Sequence, residues 1–212
     1  MQKKKSVIIS LILASILLAS FFAILILVVN KYNFKIDLFN AEIVKARTPF
    51  WNKFFEYFSI VGNFYFLLGL MIVLVTFIMF KYKQKFASMF VALSFAFVSV
   101  INFLIKNVVK RVRPEQFMLF KEFSYSFPSW HAMLTCFVFG VLIYFALKYL
   151  KNKPLKITLI IIFSTIILLM GFARVYLGVH YLSDVLAGLM LGFAFVLLFV
   201  VLYNKCFATK KD

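Results

Sequence analysis

Six apolar runs, each close to the length of a bilayer crossing, constrain this 212-residue sequence more than any other feature. A transmembrane helix needs about 20 mostly apolar residues to cross a hydrocarbon core of about 30 Å. The runs cover residues 6–29, 60–80, 86–105, 130–147, 155–176 and 182–203. Inside lipid every backbone amide must find an internal partner, so runs of this kind predict helices. The chain is 65% hydrophobic with a mean hydropathy of +1.01. A soluble domain is only about half apolar, and a globule of this size cannot hide the excess. The fold class is therefore all-α, an integral membrane six-helix bundle. No polar linker interrupts the runs, so residues 1–212 read as a single membrane-embedded domain.

A net charge of +17 invites a nucleic-acid reading, but the charges sit in short clusters between apolar runs. That is where membrane topology places them, whereas nucleic acid requires a basic face on a water-exposed module. No nucleic-acid partner is expected; the partner is the bilayer. The first run follows Lys3, Lys4 and Lys5 and exceeds the about 7–15 apolar residues of a signal sequence, so it reads as a retained anchor. With the N-terminus inside, 13 of the 24 basic residues fall on the inner side, among them Lys81, Lys148, Lys205, Lys210 and Lys211. Lys106, Arg113 and Arg174 lie outside but have another use, argued below. Setting them aside favours cytoplasmic N- and C-termini in a multi-pass cell-membrane protein. Cys136 lies within an apolar run and Cys206 near the C-terminus, which suggests neither a disulfide framework nor a thiolate metal site.

Residues 30–59 are too polar to span, and Trp51, Phe54, Phe55, Tyr57 and Phe58 among their charges suggest an interfacial helix or aromatic belt. The last run holds Gly188 and Gly192 at GxxxG spacing, which lets helices approach closely. Packing within the bundle explains it; a homodimer through Gly188 and Gly192 is the alternative.

Polar residues near spans are costly, so their positions are informative. Three clusters stand out: KNVVKRVRP at 106–114, FPSWH at 127–131 and ARVYLGVHYLSD at 173–184. Span parity alone puts all three on the same side, which is the outer one when the N-terminus is inside. Arg113 precedes Pro114, which moves it out of helical geometry, and a guanidinium on a turn suits bidentate phosphate contact. Pro128 and Ser129 mark a helix start, with Ser129 near the N-cap and free N–H groups beyond it, where anions bind. His131 stands beside that start. His180 and Asp184 are four apart and share a face if helical, so the carboxylate can hold one imidazole nitrogen. These two histidines are the only ones in the chain.

The inventory is two imidazoles, a carboxylate and three long cations, Lys106, Arg113 and Arg174. Cations would repel a metal ion, so no metal and no cofactor is expected. A phosphoryl group suits them, since its charge builds on peripheral oxygens during transfer. Two histidines can divide that labour, one as nucleophile and one as acid for the leaving oxygen.

At this point the sequence resembles the type-2 phosphatidic acid phosphatase superfamily, the lipid phosphate phosphatases. Lys106 and Arg113-Pro114 match its K-x6-RP motif completely. Pro128-Ser129-Trp130-His131 matches PSGH with Trp130 in place of glycine, which keeps the backbone N–H but not glycine's freedom at positive φ. Ala173-Arg174, His180 and Asp184 match SR-x5-H-x3-D with Ala173 replacing serine. The resemblance implies a metal-independent reaction in two steps. His180, oriented by Asp184, attacks phosphorus to form a phosphohistidine. His131 protonates the leaving alcohol and then activates water. Lys106, Arg113, Ser129, Arg174 and the Trp130 amide hold the phosphoryl oxygens. The substrates it implies are a phospholipid or polyprenyl phosphate: phosphatidylglycerol phosphate, phosphatidic acid or undecaprenyl pyrophosphate. The alternative is a non-catalytic lipid-phosphate-binding or transport protein on the same fold. A transporter would carry a polar site at mid-span, and none is seen.

Overall fold

The computed structural model describes residues 2–207; Lys210 and Lys211, counted above for topology, and the side chain of Lys3 lie outside the described residues. Eight α-helices occur among them: α1 Gln2–Val29, α2 Phe39–Lys45, α3 Pro49–Phe58, α4 Phe64–Lys81, α5 Lys85–Val109, α6 Trp130–Tyr149, α7 Lys153–Tyr176 and α8 Leu182–Phe207. The described residues contain no strand, and six of the helices (α1 and α4 to α8) are long and apolar enough to cross a membrane.

Helix ends follow local chemistry. The second span begins at Phe64, four residues later than the apolar run, because residues Ser59–Gly62 form a 3-10 turn and Asn63 caps the helix through its Oδ1, which accepts the Tyr65 N–H at 3.0 Å. Ser129 is the N-cap of α6, its Oγ accepting the Ala132 N–H at 3.5 Å. Asn152 does the same for α7, with Pro154 in the first turn. The third span runs past its apolar window to Val109, where Lys110 at φ 52° ends it, so Lys106 sits in the last turn of α5.

α6 is the centre of the bundle. Its apolar window is 67% buried, against 17–39% for the other five. α7 and α8 pack on it, and α1 lies along α8. Gly188 and Gly192 are consumed by this packing: a Cβ at Gly188 would stand 2.8 Å from the Ser129 carbonyl oxygen, and one at Gly192 2.7 Å from that of Met133. Both glycines therefore face α6 of the same chain, the packing within the bundle that their spacing allows. Elsewhere Phe86, Phe103, Ile161 and Leu168 lie exposed on the spans, which is stable only where lipid is the solvent.

Residues 30–59 fold as a 3-10 turn Lys35–Leu38 followed by α2 and α3. Thr48 caps α3 and Pro49 opens it. Phe55 is buried against Phe172 and Tyr176 of α7, while Phe50, Trp51, Phe54 and Tyr57 stay exposed. The segment thus lies across the end of α7 that carries Arg174.

Candidate active site

The three polar clusters meet at one end of the bundle. His180 lies in the short connection between α7 and α8 and is 1% exposed. The connection turns at Gly178, φ +71°, where a Cβ would strike the Phe117 carbonyl, so glycine is required. The Nε2 of His180 faces Nη1 of Arg113 at 3.3 Å. Its Nδ1 faces Ser126 Oγ at 3.4 Å and Asp184 Oδ2 at 3.6 Å. The carboxylate and imidazole therefore do not meet in a direct hydrogen bond. Ser126 stands between them and donates to Asp184 Oδ2.

Asp184 is fully buried and held from several sides. It accepts the Tyr181 N–H at 3.0 Å and Arg111 Nη1 at 2.6 Å. Arg111 reaches on to Asp37 Oδ2 at 2.8 Å and lies over the Tyr181 ring. Burial works against this guanidinium, but Asp184 and Asp37 hold its pKa above the usual arginine value. Asp37 also accepts the Ser183 N–H at 2.9 Å, and Asn40 donates to the His180 carbonyl at 2.8 Å while accepting the Leu182 N–H. The segment read from sequence as an interfacial helix or aromatic belt thus also buttresses the His180 connection.

The cations close round the front. Arg113 donates through Nε to the Ser124 carbonyl at 2.6 Å and through Nη1 to that of Val179. Lys106 donates to the Tyr125 carbonyl. Arg174 is 1% exposed, with Nη1 3.3 Å from Ser59 Oγ, Nη2 2.6 Å from Glu122 Oε1, and Nε without a hydrogen-bond partner. His131 is the second residue of α6 and half-buried beneath the Ser59–Gly62 turn, where a Cβ at Gly62 would stand 2.9 Å from its ring. Arg174, His180, Lys106 and Arg113 all lie within electrostatic range of that ring. Burial, then Arg113, Lys106 and Arg174, hold the pKa of His180 well below the usual histidine value, so its ring is neutral at pH 7.

All eight residues singled out by sequence are thus at one place, with two refinements. The Ser129 hydroxyl is fully buried and committed to capping α6. Trp130 is helical rather than left-handed and packs on Phe64 at 5.9 Å, so its site does not use glycine's freedom. Ala173 sits in an apolar cluster with Ile43, Phe55 and Tyr176.

A family model described as the PAP2 superfamily matches residues 87–208, more than half of the chain and all three clusters. The chain belongs to the PAP2 superfamily. It is 38% identical over 151 residues to phosphatidylglycerophosphatase B of Bacillus subtilis, covering 70% of this chain and 73% of that protein. It is 32% identical over 113 residues to lipid A 1-phosphatase of Rhizobium etli, covering 49% and 44%. Among solved structures, the transmembrane PAP2 type phosphatidylglycerolphosphate phosphatase from Bacillus subtilis superposes with a TM-score of 0.80 at 29% identity, covering 91% of this chain and 98% of that one. This PAP2 protein is accordingly a membrane lipid phosphatase, a hydrolase of phosphate esters.

Sequence reasoning missed Arg111, Ser126, Asp37, Asn40 and Glu122. The chain has only 7 acidic residues, so the scarcity that singled out the histidines could have singled out Asp37 and Glu122 as well. Asn40 and Ser126 carried no such signal.

Proposed function

We propose that this phosphatase removes a terminal phosphate from a lipid at the outer membrane surface, through a phosphohistidine on His180. The arrangement that carries the reading is a buried, neutral His180 whose Nε2 faces Arg113, in a site that Lys106 and Arg174 complete. His180 Nε2 attacks phosphorus; a P–N bond forms as the P–O bond to the lipid breaks. His131 gives its proton to the departing lipid oxygen, then takes one from a water that attacks phosphorus and releases His180. Asp184, acting with Ser126, orients His180. Lys106, Arg113, Arg174 and the first amides of α6 stabilise the charge on the phosphoryl oxygens.

The proposed substrate is phosphatidylglycerol phosphate, from likeness to the Bacillus subtilis enzyme over most of both chains. Phosphatidic acid and undecaprenyl pyrophosphate present the same phosphate on an apolar anchor. The test is phosphate release from each lipid in detergent with chelator present. Wild type turns over, His180→Ala does not, and acid-labile phosphate is not trapped on the variant. Release equal to wild type by His180→Ala sinks the mechanism.

The outward orientation rests on lysine placement, and Arg111 and Arg47 support it. Both lie at the site end but are committed to carboxylates or a carbonyl rather than to topology. Lys121 is exposed beside the site and Cys206 is the exposed cysteine. Lys121→Cys in a Cys206→Ser background should react with an impermeant maleimide on intact cells. Reaction only after permeabilisation reverses the orientation.

A further inference from the structure

Arg113 and Arg174 are 7% and 1% exposed, and guanidiniums buried to this degree require an anion beside them. Glu122 provides it, with Oε1 2.6 Å from Arg174 Nη2 and Oε2 3.8 Å from Arg113 Nη2. One carboxylate therefore bridges the two arginines that the proposed reaction assigns to phosphate. Its own backbone is loosely tied. The chain is pinned at Leu119, whose N–H donates to the Leu177 carbonyl at 3.1 Å, and at Ser126, whose N–H donates to that of Arg111 at 2.8 Å. Among the described residues, 120–123 make no backbone–backbone hydrogen bond, and Phe123 beside Glu122 is 98% exposed. The arginines hold Glu122; the loop does not.

We propose that Glu122 is an exchangeable counter-anion that makes the phosphate cradle selective for phosphomonoester or pyrophosphate groups over the phosphodiesters of bulk membrane lipid. This rests on the lipid phosphatase reading above. Glu122 and a phosphoryl group compete for the same two guanidiniums, since both anions cannot occupy them without strong repulsion. The competitor carries one negative charge. A phosphodiester headgroup also carries one and brings no electrostatic advantage over a carboxylate already in place. A terminal phosphate at neutral pH carries between one and two, and pyrophosphate carries more, so these displace it. Neighbouring lipids vastly outnumber substrate at a membrane surface, so rejection of their headgroups matters for turnover. Specificity of this kind works by an element set against the wrong ligand.

The test uses the full-length protein in mixed micelles, with phosphate release from phosphatidic acid as the reaction. Orthovanadate and the monoanionic diester phosphatidylglycerol are the competing probes, and zwitterionic phosphatidylcholine is the control. Glu122→Gln keeps the shape but removes the charge. It should lower the inhibition constant of orthovanadate by about tenfold or more, the scale of one charge-assisted hydrogen bond. It should also make phosphatidylglycerol inhibitory at concentrations the wild type tolerates, and the change in inhibition should exceed the change in kcat. If both inhibition constants stay at wild-type values, the proposal fails. A collapse of kcat at unchanged inhibition constants also overturns it, because Glu122 would then touch the reacting atoms. Glu122→Asp, with a shorter reach to Arg174, should shift inhibition in the same direction by less and serves if the glutamine variant does not fold. The stabilisation of the purified protein against thermal unfolding by orthovanadate is read in parallel. If the wild type releases no phosphate from any lipid but orthovanadate stabilises Glu122→Gln more than wild type, the counter-anion stands and the phosphatase reading falls. Turnover with unaltered inhibition sinks the counter-anion alone.

Discussion

Arg111→Met tests whether the site depends on a charge relay behind Asp184. Arg111 joins two carboxylates, Asp184 at 2.6 Å and Asp37 at 2.8 Å, and Asp184 is fully buried. Methionine keeps much of the length and apolar stem but removes the cation. Removing one partner of a buried ion pair typically costs about 3–5 kcal/mol, because the charge left behind is uncompensated. Asp184 would keep Ser126 and the Tyr181 N–H, which points to the lower end, about 3 kcal/mol. Asp37→Asn is milder, about 1 kcal/mol, since Arg111 still holds Asp184 and the amide can still accept from Ser183. In the double variant the like-charge facing of Asp37 and Asp184 is gone as well. Its loss should therefore fall short of the sum by about 1 kcal/mol or more. The assay is thermal unfolding of the three variants in one detergent, with lipid phosphate release measured alongside. An Arg111→Met loss under about 1 kcal/mol, or strict additivity in the cycle, would refute the reasoning.

Other outcomes follow from the same geometry. Ser126→Ala removes the hydroxyl between Asp184 and His180; kcat should fall about tenfold or more with KM little changed, the scale of a hydrogen bond to a charged group. His180 has its pKa lowered in the folded state by burial and neighbouring cations. As pH falls through about 6.5 the unfolded chain takes up the proton first, so this histidine subtracts stability below that pH, by up to about 1.4 kcal/mol per unit. His180→Asn should therefore lose less in Tm than wild type between pH 7.5 and 5.5, and equal losses would remove His180 as the cause. Gly192→Leu drives a side chain into the Met133 carbonyl, 2.7 Å from even a Cβ, and should abolish the folded yield. Gly69→Ala meets nothing within 4 Å in mid-α4 and should stabilise by about 0.5–1 kcal/mol.

The sequence by itself determined the spans, because a bilayer imposes length and hydropathy on every crossing regardless of what the helices pack against. It singled out a set of polar residues too: Lys106, Arg113, His131, Arg174, His180 and Asp184 lie at span ends of one parity, where such groups are costly in lipid. The cap at Ser129 was readable because capping is a local hydrogen bond. Tertiary structure alone decided the rest. Asn40 grips the connection 140 residues away, and Asp37 reaches Ser183 across 146; no local periodicity encodes such pairs. Contact across the fold placed Ser126 between Asp184 and His180 and turned Gly188 and Gly192 inward against α6. It also set Glu122 on Arg113 and Arg174. Pairing of buried charges depends on which groups the folded chain brings within a few ångströms, and that distance is a property of the packing, not of the order of residues.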